Sequence, residues 1–255
     1  MTEPRFIHLR LHSPYSLLEG AVSLKKLPEM CRADGQPAVA VTDTGNMFGA
    51  LEFSEGVAKA GVQPILGCQM DLAYAPALRP GDRAAEALPV VLLAQDEAGY
   101  GNLMKLNSCA FLESGEALPH ITLEELEAHS GGVICLTGGP EGPVGRLIAD
   151  GQREKAEALL RRLGAMFGDR LYVELQRHGE GGGRTEAEAA TEQGFVEFAY
   201  AMDLPLVATN DVYFPDREMY DAHDALICIA DGAYVDQSAG RRRLTPEHCF
   251  KTQDE

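Results

Sequence analysis

The feature that most constrains this chain is a regular alternation of short runs rich in Val, Ile and Leu with longer stretches of helical period. That alternation is the pattern of βα repetition, and it predicts a largely parallel sheet. Seven segments read as strands: 6–12, 38–42, 64–72, 89–94, 133–137, 171–175 and 206–209. Seven strands, each followed by a loop and usually a helix, suit a closed, TIM-barrel-like α/β barrel in a single domain spanning 1–255. Among the helices, Thr122 with Glu125 three residues on forms a capping box ahead of Leu123 and Leu126. In 152–167, Ala156, Leu159, Leu160, Leu163 and Phe167 recur on one helical face, and Arg153, Glu154, Glu157 and Arg161 on the other. The stretch 186–202 reads the same way, with Pro205 ending it, while 76–87 and 179–183 read as loops.

Composition narrows the function classes. At 255 residues, 45% hydrophobic and 24% charged, the chain has the make-up of a globular protein with one large core rather than a disordered or fibrous one. No run approaches the roughly 18 apolar residues of a membrane span. The opening MTEPRFIHLR lacks the apolar core of a secretion signal, so a cytoplasmic address is expected. A formal net charge of -17 opposes a polyanion, so little direct DNA binding is expected. The six cysteines are scattered without a CxxC pair and read as reduced, mostly buried thiols.

In a barrel of this kind the chemistry sits where strands end and loops converge. The polar residues at those ends are Arg10, His12, Glu19, Asp43, Thr44, Gln69, His178, Asn210 and Asp211. Other candidates carry plainer readings. Gly45 and Asn46 suit a strand-to-helix turn, and Gly181 to Gly183 lack the context of a nucleotide loop. His120, His129 and His248 read as surface residues, and His223 as a packing or capping residue. Asp221 and Asp224 suit the early turns of the helix around His223. The basic cluster Arg241, Arg242, Arg243 is expected to lead into a following domain rather than to bind phosphate.

Three segments follow one another in order: HLRLHSPYSLLEG at 8–20, VTDTGNMFGALEF at 41–53 and PILGCQMDLAY at 64–74. With VVLLAQDEAGYGNLMKLNS at 90–108, LYVELQRHG at 171–179, PLVATNDVYF at 205–214 and DAHDALICI at 221–229, they span essentially the whole chain. Together they resemble the polymerase-and-histidinol-phosphatase (PHP) domain, of the branch that opens the alpha subunit of bacterial DNA polymerase III. The resemblance implies a distorted seven-stranded (βα)7 barrel. In active members this barrel carries His, Asp and Glu ligands for a cluster of metal ions that hydrolyses phosphoesters.

Here that ligand set is broken. The resemblance puts Arg10 in the place of the first His of HxH, Thr44 in the place of the His of TDH, and Gln69 in the place of a Glu. It puts Pro89 and Tyr213 in the places of two further His residues. His12, Glu19, His178 and Asp211 remain, so Arg10, His12, Glu19, Asp43, Thr44, Gln69, Pro89, His178, Asp211 and Tyr213 outline a vestigial site with no catalytic residue. No metal is expected; any ion retained, Zn or Mn, would use His12, Glu19, His178 and Asp211. Arg10 is expected to stand in for metal charge by pairing with Glu19, Asp43 or Asp211.

The function this implies is an inactive scaffold within a DNA-directed DNA polymerase, a nucleotidyltransferase whose Mg-dependent chemistry lies elsewhere in a longer chain. The expected partners are the proofreading exonuclease subunit and the rest of the alpha chain, and no membrane. The alternative is a metal-dependent phosphoesterase, pyrophosphatase or 3′ to 5′ exonuclease with a reduced metal site. A free-standing phosphatase of the histidinol phosphate type is a weaker third.

Overall fold

The computed structural model describes residues 6–74, 87–115, 117–237 and 240–255, so the expected loop at 76–87 lies, apart from Ala87, outside the described residues. The helices are α1 (Leu27–Ala33), α2 (Ala50–Lys59), α3 (Glu97–Leu112), α4 (Leu123–Ala128), α5 (Pro143–Ala149), α6 (Arg153–Phe167), α7 (Glu186–Met202) and α8 (Tyr220–Asp231). The strands are β1 (Ala38–Val41), β2 (Gln63–Ala73), β3 (Ala87–Ala94), β4 (Ile121–Thr122), β5 (Val133–Leu136), β6 (Leu171–Leu175) and β7 (Leu206–Ala208). They hydrogen-bond in the order β1, β2, β3, β5, β6, β7, with β4 on the side of β2. The result is an α/β fold in two compact units. One takes Met1–Leu66, Arg177–Thr185 and Thr209–Glu255, the other Gly67–Gln176 and Glu186–Ala208.

In the first unit, β1 pairs in parallel with the start of β2, Ala38 facing Gln63 and Val41 facing Leu66. The expected strand at 6–12 is not a regular strand, although its backbone is hydrogen-bonded on both sides. Ala40 N–H donates to His8 C=O at 2.8 Å and Thr42 N–H to Leu11 C=O at 2.8 Å. On the other side, His12 N–H donates to Val212 C=O at 2.8 Å, and Leu11 and Val212 form an isolated parallel bridge. The Thr42 hydroxyl takes the Leu11 N–H at 3.0 Å, a side-chain bond where a ladder bond would run, which breaks the repeat. Leu11, Leu27, Val39, Val41, Phe53, Val57 and Val212 form the centre of this unit's apolar core.

In the second unit, β3 runs antiparallel to both β2 and β5, while β5 with β6 and β6 with β7 are parallel. The sheet is largely parallel as expected, and β3 makes it a mixed one. An apolar run such as Val90 to Leu93 reports burial on both faces and carries no information about strand direction. The helices match their patterns closely. Thr122 and Glu125 form the capping box of α4, and all five apolar positions read for α6 are buried. β4, two residues long, is too short to leave a period in the sequence. All six cysteines are free thiols, five of them buried, in accord with the reduced reading.

Two tests of the packing follow. A Cβ on Gly99 in α3 would sit 1.7 Å from the carbonyl oxygen of Gly132, whereas one on Gly56 in α2 would meet nothing within 4 Å. In thermal melts, Gly99→Ala should lower stability by about 2 kcal/mol or more, and Gly56→Ala should leave it unchanged or raise it by up to about 1 kcal/mol. His8 is fully buried, between Phe6 at 5.0 Å and Phe250 at 4.2 Å ring to ring, and burial pushes its pKa down to about 4. The neutral ring is the folded form, so its contribution is complete above the unfolded pKa near 6.5 and is lost as pH falls toward 4. Denaturation between pH 7 and 4 should show an acid-side loss of about 3 kcal/mol, flattened in His8→Phe.

Candidate functional site

The first unit gathers eight of the ten expected site residues. Arg10 and His12 lie on the segment between β1 and Val212, Asp43 and Thr44 directly follow β1, and Glu19 sits in the loop that folds back over them. His178, Asp211 and Tyr213 come from the unit's other two stretches. Gln69 and Pro89 belong to the second unit, on β2 and β3, where Gln69 faces Val91 and Pro89 faces Asp71 across the ladder. The loop 13–20 is compact because Gly20 lies against the His12 and Ser13 backbone, so closely that a Cβ there would come within 2.1 Å of the Ser13 carbonyl oxygen.

The centre is ionic. Arg10, 2% exposed, places Nε 3.1 Å from Asp211 Oδ1, and His12 Nε2 lies 3.1 Å from the same oxygen. Burial by itself works to raise the Asp211 pKa. Arg10 and the hydrogen bond from His12 outweigh it and hold the carboxyl well below the usual carboxylate range. The His12 ring stacks on Tyr213 at 4.3 Å with 4° between planes. Burial, with Asp211 beside it, pushes the Tyr213 phenol far above its ordinary pKa, so the stacked face stays neutral.

The carboxylates of the site are engaged by protein donors. Asp43 accepts from Ser13 N at 2.7 Å, Ser13 Oγ at 2.7 Å and Ser16 Oγ at 2.6 Å. Glu19 accepts from Thr44 Oγ1 at 2.7 Å and from Arg242 Nη1 at 2.9 Å. Because the Ser16 and Thr44 hydroxyl hydrogens go to these carboxylates, their oxygens meet His12 Nδ1, at 3.1 and 3.3 Å, as acceptors. At the other ring nitrogen, Nε2 lies 3.1 Å from Asp211 Oδ1, so both nitrogens of His12 face protein partners. His178 Nε2 accepts the Asp211 backbone N–H at 3.1 Å.

Among the described residues, three ligand atoms within 4.8 Å of one another occur at Cys109, Glu113 and Glu125 in the second unit, and not among His12, Glu19, His178 and Asp211. The residues present therefore do not fit the metal cluster that the resemblance implies.

Several participants were not legible as such. His248, expected at the surface, is half-buried and stacks on His178 at 3.9 Å, and the Thr245 hydroxyl donates to the His178 carbonyl at 2.6 Å. The three arginines are each tied within this unit. Arg241 is bidentate to Asp224 at 2.6 and 2.8 Å, and Arg242 reaches Glu19 and lies 5.5 Å over the Tyr213 ring. Arg243 Nε donates to the Tyr220 hydroxyl at 2.9 Å. In an acidic chain the few cations find carboxylates nearby, and only the fold says which. His223 is a packing residue as expected, buried on α8 with Nε2 2.6 Å from the Glu19 carbonyl oxygen. Asn46 is a turn residue, its amide donating to the Tyr15 and Thr44 carbonyls at 2.8 and 3.0 Å.

Comparison with known proteins agrees with this architecture. Residues 8–178 match the PHP domain family. The chain is 48% identical over 251 residues to DNA polymerase III subunit alpha of Caulobacter vibrioides, covering 98% of this chain and 21% of that protein. It is 36% identical over 249 residues to the same subunit of Rickettsia bellii and of Pseudomonas aeruginosa, covering 97% of this chain and 20% of each. The chain thus spans about a fifth of the length of these relatives. Among solved structures, it shares its fold with a protein of Bifidobacterium adolescentis described as a metal-dependent phosphoesterase, with a TM-score of 0.52 and 16% identity over 80% of this chain and 86% of that one. This chain, with its α/β fold and its run of matched segments, belongs to the PHP domain family.

Proposed function

We propose that this chain is the PHP domain of a DNA polymerase III alpha subunit, one domain over residues 1–255, in which the former metal site serves as a structural ionic cluster without hydrolytic activity. The observation that carries this reading is the buried Arg10 guanidinium 3.1 Å from Asp211, a permanent cation where the family's metal charge would otherwise sit. Arg10, Thr44, Gln69, Pro89 and Tyr213 are the replaced ligands, and His12, Glu19, His178 and Asp211 the residual ones. The domain acts as a scaffold for the remainder of the alpha chain and for the proofreading exonuclease subunit in the cytoplasm. Nucleotidyl transfer and its Mg²⁺ ions belong to the polymerase body. The net charge of -17 supports a protein partner over direct contact with DNA.

Bound metal, measured by mass spectrometry after exposure to Zn²⁺ or Mn²⁺ and desalting, should be near zero per chain. One or more ions, with phosphoester hydrolysis that a chelator abolishes, would instead establish the phosphoesterase alternative. Arg10→Ala leaves the Asp211 carboxylate buried beside a single histidine and should cost about 3 to 5 kcal/mol in denaturant unfolding at neutral pH. Arg10→Ala combined with Asp211→Asn should recover part of that loss, the signature of a charge left unpaired. Since the folded Asp211 pKa is depressed, its contribution is present above the unfolded value near 3.8 and is lost only in more acidic solution. The acid limb of a stability profile below about pH 4 should therefore be shallower in the double variant than in the parent.

A further inference from the structure

Beside the ionic cluster, four large apolar side chains of the first unit stand in solvent. Leu17 is 72%, Leu18 48%, Phe48 69% and Leu51 72% exposed. Single exposed leucines are ordinary, but four on two neighbouring segments are not. The segments are joined: Asn46 Nδ2 donates to the Tyr15 carbonyl at 2.8 Å and the Tyr15 hydroxyl to Glu52 at 3.0 Å. Gly49 lies so close to the Tyr15 ring that a Cβ would come within 2.8 Å. The first segment is also fixed from beneath, where Asp43 accepts from Ser13 and Ser16, and Glu19 from Thr44.

Leu18 is held at φ +62°, a left-handed conformation that a leucine adopts only where its surroundings impose it. A strained, well-anchored loop that displays leucines outward is pre-organised for contact, and pre-organisation lowers the entropy lost on binding. Two carboxylates of the vestigial site are thus engaged in holding this display in place.

We infer that Leu17, Leu18, Phe48 and Leu51 form the docking surface for an apolar element of the remaining part of the same polypeptide. This rests on the reading of the chain as the PHP domain of a polymerase III alpha subunit. On that reading the domain is about a fifth of the polypeptide, and the other four-fifths must abut it somewhere. The four residues are uncharged, so their contact is set by area and shape rather than by steering charge. Permanent interfaces are of that apolar kind, and a fixed arrangement of domains requires one.

The test is oxidative side-chain footprinting of the full-length polypeptide that carries this domain, with the similarly exposed Ile229 and Tyr234 as internal references. Leu17, Leu18, Phe48 and Leu51 should label about tenfold less than these references, and Phe48→Glu with Leu51→Glu should restore labelling of Leu17 and Leu18. Labelling of all four at the reference level would overturn the inference. So would protection that appears only when the proofreading exonuclease subunit is added, or that disappears on dilution, since the occupant is then a separate protein or a second copy. A native polypeptide of only 255 residues would overturn the underlying reading instead, and intact mass distinguishes the two failures.

Discussion

The first unit depends on one buried interaction, the Arg10 guanidinium against the Asp211 carboxylate. Taking both groups out of water costs several kcal/mol per ion, which their attraction offsets only when the remaining polar atoms are also satisfied. Around Asp211 the surroundings contribute further contacts. His12 shares the Asp211 oxygen, Tyr213 covers the imidazole face, and the Asp211 backbone N–H is taken by His178. The cation that faces Asp211 is thus supplied by the chain itself.

The polar contacts continue outward through the carboxylates. Asp43 and Glu19 turn their oxygens to the hydroxyls and backbone of the 13–20 loop, and Glu19 also receives Arg242 from a position 223 residues away in sequence. The stretch around Arg242, Thr245 and His248 closes the unit over His178, while Arg241 and Arg243 anchor it to Asp224 and Tyr220 on α8. Three stretches distant in sequence therefore share one polar network, and loss of any one leaves buried donors or acceptors unpaired in the others.

Local structure was largely legible. The capping box at Thr122 and Glu125, the apolar stripe of α6 and the end of α7 ahead of Pro205 follow from side-chain chemistry within a few residues. Strand direction around β3 was not legible, because apolar periodicity measures burial alone. The irregular course of 6–12 was hidden too, since it depends on the hydroxyl of Thr42, just past β1, capturing the Leu11 N–H. At the site, the resemblance implied that Arg10, Thr44, Gln69, Pro89 and Tyr213 stand in ligand positions, but left three carboxylates open as partners for Arg10. The parts played by Arg242 and His248 left no local signal at all.

The sequence by itself therefore determined the family, the succession of βα segments and the presence of an arginine among the polar residues at the strand ends. These are properties of residue identity and spacing along the chain. Only the tertiary structure decided that Asp211 rather than Glu19 or Asp43 receives Arg10, that Arg242 completes Glu19, and that the remaining carboxylates hold an outward-facing apolar loop. Such choices are made at about 3 Å between atoms far apart in sequence, where hydrogen-bond geometry and desolvation select one partner and periodicity has nothing to say.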